Sequence, residues 1–160
     1  MDVGLGRIAK TLRNLGVSRP VNLYPSLLLG ASALTPLEVT QMYQTLAGDG
    51  FATPIRSIQA VIAADGEKLQ SYPYTIRQTV DPAATYITNK MLQEVMTEGT
   101  GRSAYQQLPD ALHVAGKTGT TNDNRDSWFA GFSGDYLAVF WLGRDDNKPT
   151  KLTGSSGALK

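Results

Sequence analysis

Between Leu112 and Gly143 the chain reads as three strand-like runs, roughly 112–121, 126–133 and 136–143, separated by two short polar turns. Strands joined by connections this short pair antiparallel with their neighbours, because a parallel pair needs a crossover of about a dozen residues or more. The second and third runs carry Trp128, Phe129, Phe132, Phe140 and Trp141. Aromatic residues at such density are expected to pack on the faces of the sheet and against helices. A carbohydrate or aromatic-ligand platform is the competing reading of the same residues. Whatever else the chain does, it must cover this sheet.

The first run holds the most unusual chemistry in the sequence, Ala115-Gly116-Lys117-Thr118-Gly119-Thr120-Thr121. A cation, two hydroxyls and bare glycine backbone on one extended segment make an anion-recognition strand. Lys117 supplies a point charge, Thr118 and Thr120 supply hydroxyl donors, and Gly119 lets a ligand approach the main chain. A peptide-like ligand laid beside such a strand is held by ladder hydrogen bonds. The bland alternative is a Gly- and Thr-rich strand near a turn.

The rest of the chain supplies helices, so the fold class expected is α+β. Leu5, Ile8, Leu12 and Leu15 recur at helical spacing over residues 3–15, with Arg7, Lys10 and Arg13 on a solvated face and Gly16 at the cap. Pro20–Ala33 reads as a packed loop. A second helix begins at Thr35 with Pro36 at its first position, Glu38 completing a capping box, and Leu34 and Val39 placed as a hydrophobic staple. Met42, Tyr43 and Leu46 continue its apolar stripe until Gly48-Asp49-Gly50. Asp65-Gly66 marks a hairpin between Arg56–Ala64 and Glu67–Ser71. Asp81-Pro82 opens a third helix with Ile87, Met91, Leu92 and Val95 on one side and Gly99 at its end. Gly99-Thr100-Gly101-Arg102 follows a helix and joins no strand to a helix, so it is not read as a phosphate loop. His113, the single histidine, stands at no triad spacing from any serine and is read as structural. Asp145-Asp146 is read as a solvated turn.

Composition excludes several classes. The net charge is +1 with no run of like charges, which gives no footprint for nucleic acid. There is no cysteine, so disulfides and thiolate metal sites are out, and no metal or cofactor is expected. The apolar run around Leu27–Leu34 is too short to span a bilayer. One domain is the default for 160 residues.

Lys-Thr-Gly is one of three signature elements of penicillin-binding proteins and serine β-lactamases, with Ser-x-x-Lys and Ser-x-Asn. Its surroundings extend the match: Asp126-Ser127-Trp128-Phe129-Ala130-Gly131-Phe132, then Trp141-Leu142-Gly143-Arg144-Asp145-Asp146-Asn147-Lys148-Pro149-Thr150. Together these segments resemble the C-terminal part of the transpeptidase domain of class A penicillin-binding proteins, most closely the 1B branch. Met1–Pro54 is similar to the helical stretch after that family's Ser-x-Asn element, so the resemblance covers essentially the whole chain. It implies an antiparallel sheet packed by helices and a serine-type D-Ala-D-Ala transpeptidase that forms an acyl-serine intermediate and binds β-lactams. The resemblance also implies a parent that is a peptidoglycan glycosyltransferase and sits in the periplasm on an inner-membrane anchor. By motif position Lys117 and Thr120 are catalytic, Thr120 giving an oxyanion N–H, while Thr118, Gly119 and Thr120 bind the substrate.

The rest of the family's machinery is not here. No Ser has a Lys three positions on, Ser156 precedes Lys160 by four, and there is no Ser-x-Asn. Residues 1–160 are therefore expected to be the C-terminal portion of the domain, without the nucleophile segment and the closing helix. Such a piece is expected to be inactive alone, to pair with the remainder of its parent domain, and to expose apolar surface that promotes self-association. Its ligands would be peptidoglycan stem peptides and β-lactams. Three alternatives stand beside this: a β-lactam or peptidoglycan sensor module, a fragment of a serine β-lactamase or D,D-carboxypeptidase, and an unrelated α+β module.

Overall fold

The computed structural model describes residues 3–160. Met1 and Asp2, the start of the stretch likened to the family's helical segment, lie outside the described residues. Helix α1 spans Leu5–Asn14, and its last turn is followed by Gly16 at a left-handed φ of 110°. Pro20–Ala33 departs from the expected packed loop. It holds a short 3-10 helix, Pro25–Leu29, whose Leu27 is buried while Leu28 and Leu29 face solvent. A run of leucines too short to complete a helical face can bury only the one that points inward.

Helix α2 (Pro36–Ala47) starts as its sequence dictates. Glu38 N–H donates to Thr35 Oγ1 at 3.3 Å, and Thr35 N–H donates to Glu38 Oε2 at 2.9 Å, closing both halves of the capping box. Arg19 Nε reaches the same carboxylate at 2.7 Å. Buried Thr45 donates to the carbonyl of Leu15 and so fastens α2 to α1. Gln41 and Gln44 clamp the segment that follows: Gln44 Oε1 accepts from Thr53 N–H at 2.9 Å, and Gln41 Oε1 from Ile55 N–H at 3.0 Å.

Two small antiparallel pairs come next. β1 (Phe51–Ala52) pairs with β4 (Arg77–Gln78), and between them the Asp65-Gly66 hairpin joins β2 (Ala60–Ile62) to β3 (Lys68–Ser71), with a bulge at Val61/Ile62. Helix α3 (Pro82–Thr97) is capped by Asp81, whose carboxylate accepts from Ala84 N–H. Its buried side differs from expectation. Ile87 and Met91 are exposed, whereas Thr85 and Met96 are fully buried, with Leu92 and Val95 partly so. The rotation is fixed from outside the helix: Asn89 Nδ2 donates to the Leu46 carbonyl of α2 at 2.9 Å, and Gly101 seats against the Met96 sulfur.

The three-stranded sheet forms as expected, with the strands shortened at their ends. β5 (Ala115–Thr120), β6 (Ser127–Phe132) and β7 (Leu137–Leu142) run antiparallel in that order, Thr120 opposite Ser127 and Phe129 opposite Phe140. Opposite residues share a face. One face therefore carries Gly116, Thr118, Thr120, Ser127, Phe129, Phe140 and Leu142. Phe129 on this face joins Met96 of α3, Ala104, Val114 and Ala158 in the core. The other carries Lys117, Gly119, Trp128, Phe132 and Trp141, and Tyr43 of α2 meets the Phe132 ring edge-on at 6.4 Å. Burial of Tyr43 pushes its phenol up to about 12.

Phe129 explains the pairing of two glycines. Gly116 and Gly131 lie opposite one another, and the Phe129 ring covers both. A Cβ at Gly131 would lie 2.7 Å from Phe129 Cζ, and one at Gly116 would lie 3.0 Å from the same atom. The aromatic residues expected on the faces are not all covered: Phe140 is 53% exposed and Trp141 40%. No helix among the described residues is long and apolar enough to cross a membrane.

Candidate functional site

The site is built on β5, at the edge of the sheet. Thr121 N–H donates to the Asp126 carbonyl at 3.2 Å. Since antiparallel ladders alternate paired and unpaired residues, Gly119 and Lys117 direct their main-chain groups toward β6, while Thr118 and Thr120 direct theirs outward. The outer edge thus presents two N–H and two C=O groups with no neighbouring strand among the described residues. Lys117 marks the same edge. Its ammonium is exposed, donates to the Thr118 carbonyl at 2.8 Å, and stands 3.5 Å from Thr118 Oγ1.

The two hydroxyls are held from the covered face. Thr118 Oγ1 lies 2.7 Å from Thr100 Oγ1, and Thr120 Oγ1 accepts from Gly154 N–H at 2.8 Å. Gly154 sits over Gly119 between the two threonine side chains. A Cβ there would come within 2.7 Å of the Gly119 carbonyl oxygen and 2.8 Å of Thr118 Cβ, so only glycine lets the tail lie this close.

The segment after β7 is stitched down along its length. Thr150 donates from both N and Oγ1 to the Asn124 carbonyl, at 2.8 and 2.7 Å. Ser127, fully buried, donates to Thr153 O at 2.7 Å and accepts from Ala158 N–H at 2.8 Å. The β5–β6 turn is clamped by Asp126, whose carboxylate accepts from Thr121 Oγ1 and from Trp141 Nε1, at 3.0 and 2.9 Å. Asp123 and Asn124 take left-handed φ angles in that turn, a region where short polar side chains are tolerated.

Lys117, Thr118 and Thr120 therefore lie together on one accessible edge, whereas Gly119, expected to leave the strand open for substrate, turns its main-chain groups to β6 and is covered by Gly154. His113 lies outside it. It precedes β5 at a φ of 46°, and its carbonyl accepts from Gln93 Nε2. With Lys90, Gln93, Glu94, Thr97 and Tyr105 it lines an open cavity of about 390 Å3 beside α3. The Asp145-Asp146 turn is less passive than a solvated one. Arg144 makes a two-pronged contact with Asp146 at 2.9 and 3.0 Å, and that guanidinium, with Lys148, holds the Asp146 carboxyl far below the ordinary range. The Gly99-Thr100-Gly101 turn is visible in the sequence, where it resembles a Gly-Thr-Gly turn that the family carries before this strand, but not as a contact of β5, and Gly154 was not singled out at all; each meets β5 through a contact distant along the chain.

Residues 9–154 match the family described as Penicillin binding protein transpeptidase domain. Penicillin-binding protein 1B of Vibrio cholerae is 46% identical over 161 aligned positions, covering 100% of this chain and 21% of that protein. The same protein of Escherichia coli K12 is also 46% identical, covering 99% and 19%. The chain thus spans about a fifth of the length of the curated relatives it matches. Among solved structures, penicillin-binding protein 1A of Haemophilus influenzae superposes with a TM-score of 0.80 at 21% identity, covering 96% of this chain and 28% of the other. A ceftriaxone acyl-enzyme complex of penicillin-binding protein A of Mycobacterium tuberculosis gives 0.72 at 18% identity, covering 94% and 40%. The likeness in fold and the match over nearly all of its length agree: the chain belongs to the penicillin-binding protein transpeptidase family.

Proposed function

We propose that this chain is the substrate-holding part of a peptidoglycan D,D-transpeptidase domain, working with a serine-bearing segment outside residues 1–160. The observation that carries the reading is the outer edge of β5. A stem peptide ending in D-alanyl-D-alanine, or a β-lactam of similar shape, would lie along it as an added strand. Thr118 and Thr120 hydroxyls and the Lys117 ammonium would meet its terminal carboxylate.

The outward N–H of Thr120 would then face the carbonyl under attack and stabilise the oxyanion together with the N–H of the nucleophile. Removal of one such donor costs about 3 kcal/mol of transition-state stabilisation. Lys117 lies one side chain away from both tasks, where its charge favours the carboxylate and would aid proton transfer through the Ser-x-Asn serine. The serine would be acylated as the terminal D-alanine leaves, and an amine of a neighbouring strand would take the acyl group. The parent protein would act in the periplasm, anchored at the inner membrane, and add a glycosyltransferase activity.

The apolar surface of β7 supports the need for a partner segment. Phe140 and Leu142, on the face that elsewhere packs against α3, are 53% and 43% exposed. Intact-mass spectrometry after incubation with benzylpenicillin tests the reading, on this chain alone and mixed with the parent segment that carries Ser-x-x-Lys and Ser-x-Asn. The expected result is no adduct on this chain, and an adduct on the other segment that forms only in the mixture and is lost with Lys117→Ala. A stoichiometric adduct on this chain alone would place a nucleophile elsewhere and overturn the assignment.

A further inference from the structure

Thr100 stands eighteen residues before Thr118, in the Gly99-Thr100-Gly101 turn, yet its Oγ1 lies 2.7 Å from Thr118 Oγ1. The turn that carries it is rigidly seated. Gly99 and Gly101 N–H both donate to the Val95 carbonyl at the end of α3, at 3.1 and 3.0 Å. A Cβ at Gly99 would lie 2.8 Å from that same oxygen, and one at Gly101 would strike the Met96 sulfur. Two glycines therefore let the chain fold tightly over the helix end, and what the fold delivers between them is a hydroxyl aimed at β5.

The donor inventory gives that contact a direction. A threonine hydroxyl has one proton and two lone pairs, and an ammonium group only donates. Lys117 Nζ, bonded to the Thr118 carbonyl and 3.5 Å from Thr118 Oγ1, faces one lone pair of that hydroxyl as a weak donor. If Thr100 donates into the other, the single proton of Thr118 is left for a ligand on the outer edge. The reverse direction would spend that proton on Thr100 and leave a lone pair facing an anionic ligand. A bound carboxylate selects the first arrangement, and donation from Thr100 strengthens the proton that Thr118 offers.

We infer that Thr100 is a positioning residue for carboxylate recognition, holding the Thr118 hydroxyl with its proton directed at the ligand. The inference rests on the proposed role of β5 in binding the substrate carboxylate. Thr100 is exposed, so Thr100→Val leaves no buried group unpaired and adds no bulk to the core.

The test uses the complete transpeptidase, with the serine-bearing segment present, and measures the second-order rate of acylation by a fluorescent penicillin, with the melting temperature followed in parallel. Thr100→Val is expected to slow acylation by about two- to tenfold, the worth of one hydrogen bond. Thr100→Ser restores the rate, and neither variant shifts the melting temperature. In the background of Thr118→Val the Thr100→Val effect disappears, because there is no hydroxyl left to orient. An additive effect in the double variant, or a full rate in Thr100→Val while Thr118→Val is slow, overturns the role of Thr100 and leaves the β5 reading standing. A full rate in Thr118→Val overturns the β5 reading itself, and this inference with it.

Discussion

Gly131→Ala is the substitution that tests the packing beneath the site most sharply. The new methyl would lie 2.7 Å from Phe129 Cζ, 3.0 Å from Cε1 and 3.2 Å from the Ala115 carbonyl. Phe129 is 8% exposed and locked among Met96, Ala104, Val114 and Ala158, so its ring has no empty space to enter. Overpacking of this kind costs about 1–3 kcal/mol. The loss of chain freedom in the unfolded state works the other way by about 0.4–1 kcal/mol. The net expectation is a destabilisation of about 1–2 kcal/mol, read as a fall in melting temperature of about 2–8 °C by circular dichroism for a chain of this size. Phe129→Leu removes both ring atoms that the methyl would meet. The double variant should therefore be less damaged than the sum of the single variants, by about 1 kcal/mol. A Gly131→Ala variant that melts at or above the parent temperature would show that strand propensity outweighs the contact. Strict additivity with Phe129→Leu would show that the ring does not occupy the slot.

Two further outcomes follow from hydrogen bonds at the edges of the core. Tyr105 hydroxyl accepts from the N–H of buried Val114 at 2.9 Å, so Tyr105→Phe orphans that donor and should lower stability by about 1–2 kcal/mol in a urea titration. An unchanged midpoint would mean that solvent from the neighbouring cavity satisfies Val114. Glu38, whose carboxyl is held below its usual 4.5 by the Thr35 N–H first and the Arg19 side chain next, favours the folded state only while ionised. Its contribution is full above the unfolded value and is lost as pH falls through the lower folded one. Melting temperature should therefore decline below about pH 4.5, and Glu38→Gln should flatten that part of the acid limb. An identical acid limb in the variant would remove Glu38 from the account.

What could be read from the sequence was what is decided within a few residues. The Thr35 capping box, the Asp81 cap, the Asp65-Gly66 turn and the three C-terminal strands all depend on neighbours in the chain, and all are found. The buried face of α3 depends on what it meets. Its apolar residues Ile87 and Met91 suggested one side, but the Asn89 contact with Leu46 and the seat of Gly101 on Met96 turn Thr85 and Met96 inward instead. The same division runs through the site. Lys117 to Thr120 were legible because they are consecutive on an extended strand, whose alternation sets their directions. Thr100 and Gly154 were not, since they reach β5 from eighteen and thirty-four residues away in the chain. The β1–β4 pair, two residues on each side, has too short a pattern to announce itself.

The sheet has two open edges among its described strands, and they are open in different ways. An unpaired edge is a liability, because its main-chain groups will pair with any extended chain. At β5 the edge residues are a cation, hydroxyls and a glycine, so little apolar area is gained by covering it permanently. Braced from behind by Thr100 and Gly154, it would offer fixed polar groups to the ligand proposed for it. At β7 the balance reverses. Phe140, Trp141 and Leu142 are each at least 40% exposed, and Tyr136 beside them is 80% exposed. Burying such side chains is worth about 1.5–3 kcal/mol apiece relative to full exposure, and these residues have already realised part of that. A surface with several of them suits a lasting partner better than a transient ligand. The chemistry of the two edges thus separates the roles proposed for them: a peptide end at β5, where the reacting serine must also approach, and a further part of the same domain packed lastingly against β7.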